Sequence, residues 1–550
     1  MKYLNKYLLL LAVSILPYLG IAQSTDSPKP NWQNLDLKQD GVFGISTEKA
    51  YKELLKDKTS KPVLVAVIDG GIDEEHEDLK SVMWKNSLEI AGNNLDDDKN
   101  GYVDDIYGWN FIGGTKGDVQ YDNTELTRLI RKFQPKYGAA LNTTPFNDTE
   151  RKEFLEYQKL IAAYMDELQK AKMGYENVSL FKRYLDEIKS KMKIAKPVID
   201  DFDNYKPANE IESRVVKGVK SELKKEPDFN KLEKDLDEAL KYYTTLIKYH
   251  LNLDFNSRDT VGDNYSNSNE HFYGNSDVTG PDAEHGTHVA GIIGAVRTND
   301  LGVKGVASNV QIMSVRTIPD GDERDKDVAN AIRYAVDNRA KIINMSFGKS
   351  YAWDKKVVDD AVKYAMSKNV LLVHAAGNDG MNTEKENNFP TRIYTDSLGH
   401  NTGRADLWIE VGASSWKDDE ELVADFSNFG KKSVDVFAPG VKINSTIPGS
   451  KYKENDGTSM ASPVVAGLAA LIWSYYPDLS AAQVKESILK SVVKVDHKVK
   501  IKEDGNSKKV SLDEISTTGG IVNAYNAIQV ASKMTPIAGS KISQTESKTN

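Results

Sequence analysis

The chain has 550 residues, of which 39% are hydrophobic and 28% charged, with a formal net charge of −9. That composition is globular, the length allows roughly two to four domain-sized units, and the acidic balance offers no basic face to a nucleic acid. The absence of cysteine excludes disulfides, cysteine–zinc sites, thiol catalysis and a cysteine-linked lipid anchor together.

Residues 1–22 read as an export signal. Lys2 and Lys6 precede the apolar run Leu8–Ile21, and Gly20-Ile21-Ala22 supplies the small residues of a cleavage site. The other reading is an uncleaved anchor, but the run is short for a span and polar Gln23-Ser24-Thr25 follows at once. The expected product is exported, periplasmic or extracellular, with no stable membrane span. Residues 23–60 form a polar lead-in with one helix predicted over Ser46–Leu55.

From residue 61 the pattern changes. Pro62–Ile68 is a continuous apolar run ending at Asp69-Gly70-Gly71, which predicts a buried parallel strand with an acid at its end. Such an Asp can orient a histidine, hold a metal or serve structure alone. The loop from Asp96 to Asp105 matches the first part of an EF-hand-like calcium loop. Asp96, Asp98 and Asn100 offer alternate oxygens, Gly101 permits the sharp turn, Tyr102 has a backbone carbonyl to give and Asp104 a further carboxylate. Position twelve is Tyr107 in place of Glu, so the motif is incomplete, and a structural calcium ion or a solvated acidic turn are the two readings. Calcium would serve as a staple in an exported chain without disulfides.

Residues 61–117 thus open an α/β body, and 118–279 interrupt it. This stretch is rich in Lys and Glu. Phe154, Tyr157, Ile161, Tyr164, Leu168 and Ala171 recur every three or four residues. Phe181, Leu185, Ile188 and Met192 do the same, as do Phe229, Leu232, Leu236, Ala239, Tyr243, Leu246 and His250. With Gly174 and Pro197 as breaks, the pattern predicts two or three amphipathic helices in a hairpin or small bundle. It is either a stabilising decoration or a lid that restricts access.

Over 280–532, strands at Val310–Arg316, Lys341–Asn344, Val370–Ala375 and Trp408–Ala413 alternate with helices at Asp327–Asp337 and Lys355–Ser367, and helices at Ser459–Tyr475 and Ser480–Ser491 follow. This is the pattern of a mainly parallel sheet. The block His285-Gly286-Thr287-His288 presents a histidine at a small-residue helix start, fit to act as general base and then acid. Zinc on His285 and His288 is set aside, because the glutamate and third ligand of a zinc protease are missing; His288 is then structural. In Asp456-Gly457-Thr458-Ser459, a serine lies where a glycine turn enters a helix, whose free N–H groups and dipole face a developing oxyanion. Pro463 is expected in the first turn of that helix. The tail, 533–550, is polar and predicted to be disordered.

Asp69, His285 and Ser459, in that order and in these surroundings, resemble the triad of the subtilisin-like (subtilase) serine proteases. The likeness runs over Lys61–Trp109 and Gly280–Ala531. It implies a three-layer α/β/α domain with a mainly parallel sheet, interrupted by an α-helical insertion. It also implies the Asn378 side chain as oxyanion donor, Ser346, Phe347 and Gly348 as a strand pairing with extended substrate, and Ala375, Ala376 and Gly377 as the far wall of the S1 pocket. Phe437-Ala438-Pro439-Gly440 and a final helix over Gly519–Ala531 resemble the family too. The implied activity is endopeptidase action on peptide or protein substrates through an acyl-enzyme. The alternatives are a selective processing protease gated by the insertion and a catalytically silent binding protein on the same scaffold. One departure stands out: the family usually has Ser or Thr after the catalytic Asp, and here Gly70 removes a hydroxyl that could support the carboxylate.

Overall fold

The computed structural model describes residues 27–396, 399–503 and 506–537. The expected export signal lies outside the described residues, as does the tail from 538 onward. Two compact units divide the chain, one holding Leu126–Phe255 and the other Pro28–Glu125 with Asn256 onward.

The larger unit is built on seven parallel strands: β1 (Val63–Asp69), β2 (Gly108–Asn110), β3 (Val310–Arg316), β4 (Ile342–Met345), β5 (Leu371–Ala375), β6 (Trp408–Ser414) and β7 (Val436–Pro439). Their order across the sheet is β7-β6-β5-β4-β1-β3-β2, with every pair parallel. In β1, Val63, Val65 and Val67 face one core, and Ala66 and Ile68 face the other. Burial on both faces explains why the sequence shows an unbroken apolar run instead of alternation. The first face is covered by the helices Glu284–Gly294 and Thr458–Tyr475, the second by Asp325–Asp337 and Lys355–Ser367. The three-layer α/β/α expectation is therefore met.

The structure departs from the sequence expectations at several points. Strands β2 and β7 are missing from the sequence reading; at three and four residues they show no periodicity, and pairing with a neighbour defines them. The last helix runs only over Ala524–Ala531, because Ile521 is drawn into bridges with Phe437 and Val493 before Asn523 caps the helix. Thr458–Tyr475 is apolar and long enough, by composition, to cross a membrane, yet 89% of it is buried as the central core helix. Pro463 is its sixth residue, beyond the first turn.

The smaller unit contains a 45-residue helix, Asp148–Met192, opened by a capping box between Asn147 and Glu150. Against it lie Glu210–Lys225 and Phe229–Thr245, sharing a core of Phe181, Leu185, Ile188, Val215, Val219, Leu232 and Leu236. Gly174 does not break the long helix. A Cβ there would stand 2.2 Å from the Tyr243 ring, so the glycine makes room for a neighbour, at a helix-propensity cost of about 1 kcal/mol.

Candidate active site

Asp69 is the last residue of β1, at the carboxyl edge of the sheet where open α/β folds bind their ligands. Its Oδ1 accepts from the Gly70 N–H at 2.8 Å and meets His285 Nδ1 at 2.7 Å. This approach depends on Gly286: a Cβ there would lie 2.2 Å from the Gly71 carbonyl, so only glycine lets the His285 helix come so near the end of β1. Asp69 is buried, while 46% of the His285 side chain remains exposed, so the ring can reach a substrate. Burial opposes charge on the His285 ring, but the Asp69 carboxylate outweighs it by charge and hydrogen bond, with Asp282 and Glu284 adding to the effect. The histidine pKa is raised. Asp69 Oδ2 is buried without a hydrogen-bond partner, at the residue whose neighbour Gly70 lacks a hydroxyl.

Ser459 is the second residue of its helix, entered through Gly457 at φ 153° and ψ 157°, a conformation that excludes side chains. Its N–H belongs to the first turn, whose donors have no intrahelical acceptor. Its Oγ donates to the Ser346 carbonyl at 3.1 Å. Among the described residues no hydrogen bond joins it to His285, a looseness common in ligand-free sites. Pro463 has a role here: without its N–H, the Ser459 carbonyl four residues back has no helical donor, and Ser346 Oγ supplies one at 3.0 Å. Ser346 and Ser459 are thus tied in both directions. His285, Asp69, Ser346 and Phe347 line one cleft of about 460 Å³, with Asp282, Glu284 and Asp320 also on its wall.

The Asn378 orientation follows from its partners. Its Oδ1 accepts from the Thr458 N–H at 2.8 Å and the Thr458 hydroxyl at 2.9 Å, so its amide Nδ2 is left to donate elsewhere. Thr458 Oγ1 in turn accepts from the Gly377 N–H at 3.1 Å. Two residues missing from the sequence reading hold this wall. Asn428 donates to the Ala376 carbonyl and accepts from the Asp379 and Met381 N–H groups. Asn388 donates to the carbonyls of Ala375 and Ala376, and its Oδ1 stands 2.2 Å from where a Cβ on Gly348 would be. Asn388 therefore spans the segment at Gly348, just beyond β4, and the backbone at Ala375–Ala376. Nothing local in the sequence marks either asparagine, since each acts across more than ten residues.

His288 is fully buried, donates from Nε2 to the Lys453 carbonyl at 3.0 Å, and leaves Nδ1 unpartnered. Burial, the dominant influence, lowers its pKa to about 4, so it is a neutral structural residue. In the acidic loop, the carboxylates that converge within 4.8 Å are Glu89, Asp96 and Asp98. Glu89 is an addition that no spacing rule could supply. Asp104 stands outside that group, and its oxygens accept from the N–H groups of Gly92, Asn93 and Asn94. The Asn100 Oδ1 accepts from the Tyr102 N–H, and the Tyr102 ring is buried beside Trp109, Phe111 and Tyr334.

Residues 60–512 match the model of the subtilase family (peptidase S8). The chain is 38% identical over 250 residues to the thermophilic serine proteinase of Bacillus sp. (strain AK1), covering 44% of this chain and 52% of that one. It is 37% identical over 205 residues to subtilisin DY of Bacillus licheniformis, covering 37% of this chain and 68% of that one. The match thus spans about half the length of the first relative. Among solved structures, a protease of Pseudoalteromonas arctica aligns at 27% identity with a TM-score of 0.39, over 49% of this chain and 81% of that one. With a seven-stranded parallel sheet between helical layers and the family match running over most of its length, this chain belongs to the subtilase family.

Proposed function

We propose that this chain is an exported serine endopeptidase whose nucleophile is Ser459, with His285 as general base and acid and Asp69 as its orienting carboxylate. The observation that carries this reading is the convergence on Ser346, one residue beyond the carboxyl end of β4. Ser346 lines the cleft with His285 and Asp69, and its carbonyl takes the Ser459 hydroxyl. When a peptide occupies the cleft, the Ser459 proton passes to His285 Nε2 as Oγ attacks the scissile carbonyl. The Ser459 N–H and Asn378 Nδ2 receive the oxyanion, and His285 then protonates the leaving amine. Water enters by the same route and releases the acyl group. Ser346, Phe347 and Gly348 pair with the extended substrate, and Ala375–Gly377 form the facing wall. Export is supported by the residue pattern of 1–22.

The test is a fluorophosphonate probe followed by a peptide library. Labelling is expected at Ser459, and the labelled protein should no longer cut the library that the free protein cuts. A library left uncut, or a label on another residue, would sink the proposal. For the oxyanion donor, Asn378→Asp keeps the bonds from Thr458 but replaces the amide with a repelling oxygen. It is expected to lower kcat by about 10²- to 10³-fold with little change in KM, read by steady-state kinetics.

The convergent Glu89, Asp96 and Asp98 carboxylates are a hard, all-oxygen donor set of the kind calcium takes. When bound there, the ion would neutralise their mutual repulsion and staple the loop to its flanks. Calcium at about a hundred times its dissociation constant is expected to raise Tm by roughly 5 °C over an EGTA-treated sample. Asp98→Asn should remove most of that shift; an unchanged Tm with and without EGTA counts against the site.

A further inference from the structure

Behind the substrate-facing strand lies a buried pair that the mechanism above does not use. His374, fully buried in β5, places Nε2 2.8 Å from the Phe347 carbonyl and Nδ1 2.9 Å from Glu410 Oε1. Glu410 Oε2 accepts from the Trp408 indole at 2.7 Å, and the Trp408 ring packs on the histidine at 5.1 Å between centroids. The Glu410 N–H is held by Asp435, itself paired with Arg392 at 2.8 Å. A carbonyl only accepts, so His374 Nε2 carries the proton directed at Phe347. A proton shared between Nδ1 and Glu410 Oε1 ties down the other ring nitrogen and fixes the ring in that orientation.

The consequence follows from peptide geometry. The Phe347 carbonyl and the Gly348 N–H belong to one trans peptide unit and point in opposite directions. Drawing the carbonyl inward turns the N–H outward. Gly348 is exposed, and among the described residues its N–H has no acceptor. A main-chain donor left unpaired next to the cleft residues Ser346 and Phe347 is what an extended substrate backbone requires.

We propose that His374, held by Glu410, is a positioning residue that presents the Gly348 N–H to the backbone of the substrate. The inference rests on the reading of Ser346–Gly348 as the substrate strand. Without the bond, the 347–348 peptide turns more freely and the donor is no longer pre-aimed, so the loss falls on KM for substrates long enough to pair with the strand.

The experiment uses the full chain and compares two amide variants. His374→Gln carries its amide nitrogen near the position of Nε2 and keeps a donor for Phe347, whereas His374→Asn reaches only as far as Nδ1 and loses it. On a tetrapeptide amide, KM is expected to rise about tenfold in His374→Asn, the scale of one hydrogen bond, and to stay within about twofold of wild type in His374→Gln. The rate of labelling by a small fluorophosphonate, which does not span the strand, should be the same in all three proteins. Equal KM in the two variants overturns the proposal. So does a labelling rate that falls in step with peptide cleavage, since that marks a general structural role. If His374→Asn does not fold, Glu410→Gln and Glu410→Ala decide. The first can still hold Nδ1 and should match wild type, the second should show a severalfold higher KM, and equality of the two overturns the proposal. If wild type itself neither labels at Ser459 nor cuts peptide, it is the underlying function that has failed.

Discussion

Ser459→Ala is expected to reduce kcat by about 10⁶-fold, the scale seen when the nucleophile of a serine-protease triad is removed. In the proposed mechanism the acyl intermediate forms on the Ser459 hydroxyl; Ser346, the other serine at the cleft, already commits its Oγ proton to the Ser459 carbonyl. The loss should leave the fold intact. The hydroxyl contributes one hydrogen bond, to the Ser346 carbonyl, and a second link between the two segments runs the other way, from Ser346 Oγ to the Ser459 backbone carbonyl. That link survives the substitution, so the stability cost is about 1 kcal/mol or less. Burst kinetics with an activated ester would show the disappearance of the acylation phase, and a thermal melt would show a nearly unchanged Tm. Residual peptide cleavage within about tenfold of wild type would reject Ser459 as nucleophile.

Asp69→Asn should cost about 10⁴-fold in kcat/KM and also move the pH profile. The amide can keep its oxygen toward Gly70 and His285, because both use Oδ1, and its nitrogen then falls where Oδ2 is already buried without a partner. Geometry is therefore preserved and charge is lost. The sign of the pH effect follows from His285, which must be neutral to take the serine proton. Its raised pKa places the acid limb of kcat/KM above the ordinary histidine value of about 6.5. Without the carboxylate, burial is opposed only by the weaker pull of Asp282 and Glu284 and the pKa falls, so the acid limb of the residual activity should move to lower pH. A pH–rate series on wild type and Asp69→Asn checks this; an acid limb that stays in place would show that Asp69 does not set the charge on His285.

The motif blocks were legible because each is confined to a few consecutive residues with an unusual composition. Asp69 ends an apolar run and is followed by two glycines, His285 opens a helix of small residues, and Ser459 follows a glycine turn. The groups that brace them have no such signature. Asn388, Asn428 and the His374–Glu410 pair are ordinary polar residues, and their roles come from partners far away in the chain. Glu89 joins Asp96 and Asp98 only because a turn folds back on the loop, while Asp104, well placed by spacing, is held outside the group on the N–H groups of Gly92 and Asn94.

Hydrophobic patterning along this chain was enough to announce a doubly covered parallel sheet interrupted by amphipathic helices, since burial on two faces or on one stripe leaves a period that can be read locally. Tertiary structure alone decided the rest. It ran one helix through Gly174 because Tyr243 packs where a side chain would be, and it made short strands of β2 and β7 by pairing. It also set Pro463 where its missing N–H frees the Ser459 carbonyl for Ser346. In each case a contact between distant segments outweighs a local preference, about 1 kcal/mol for Gly174 and about 3 kcal/mol for Pro463, and no reading of neighbouring residues contains that contact.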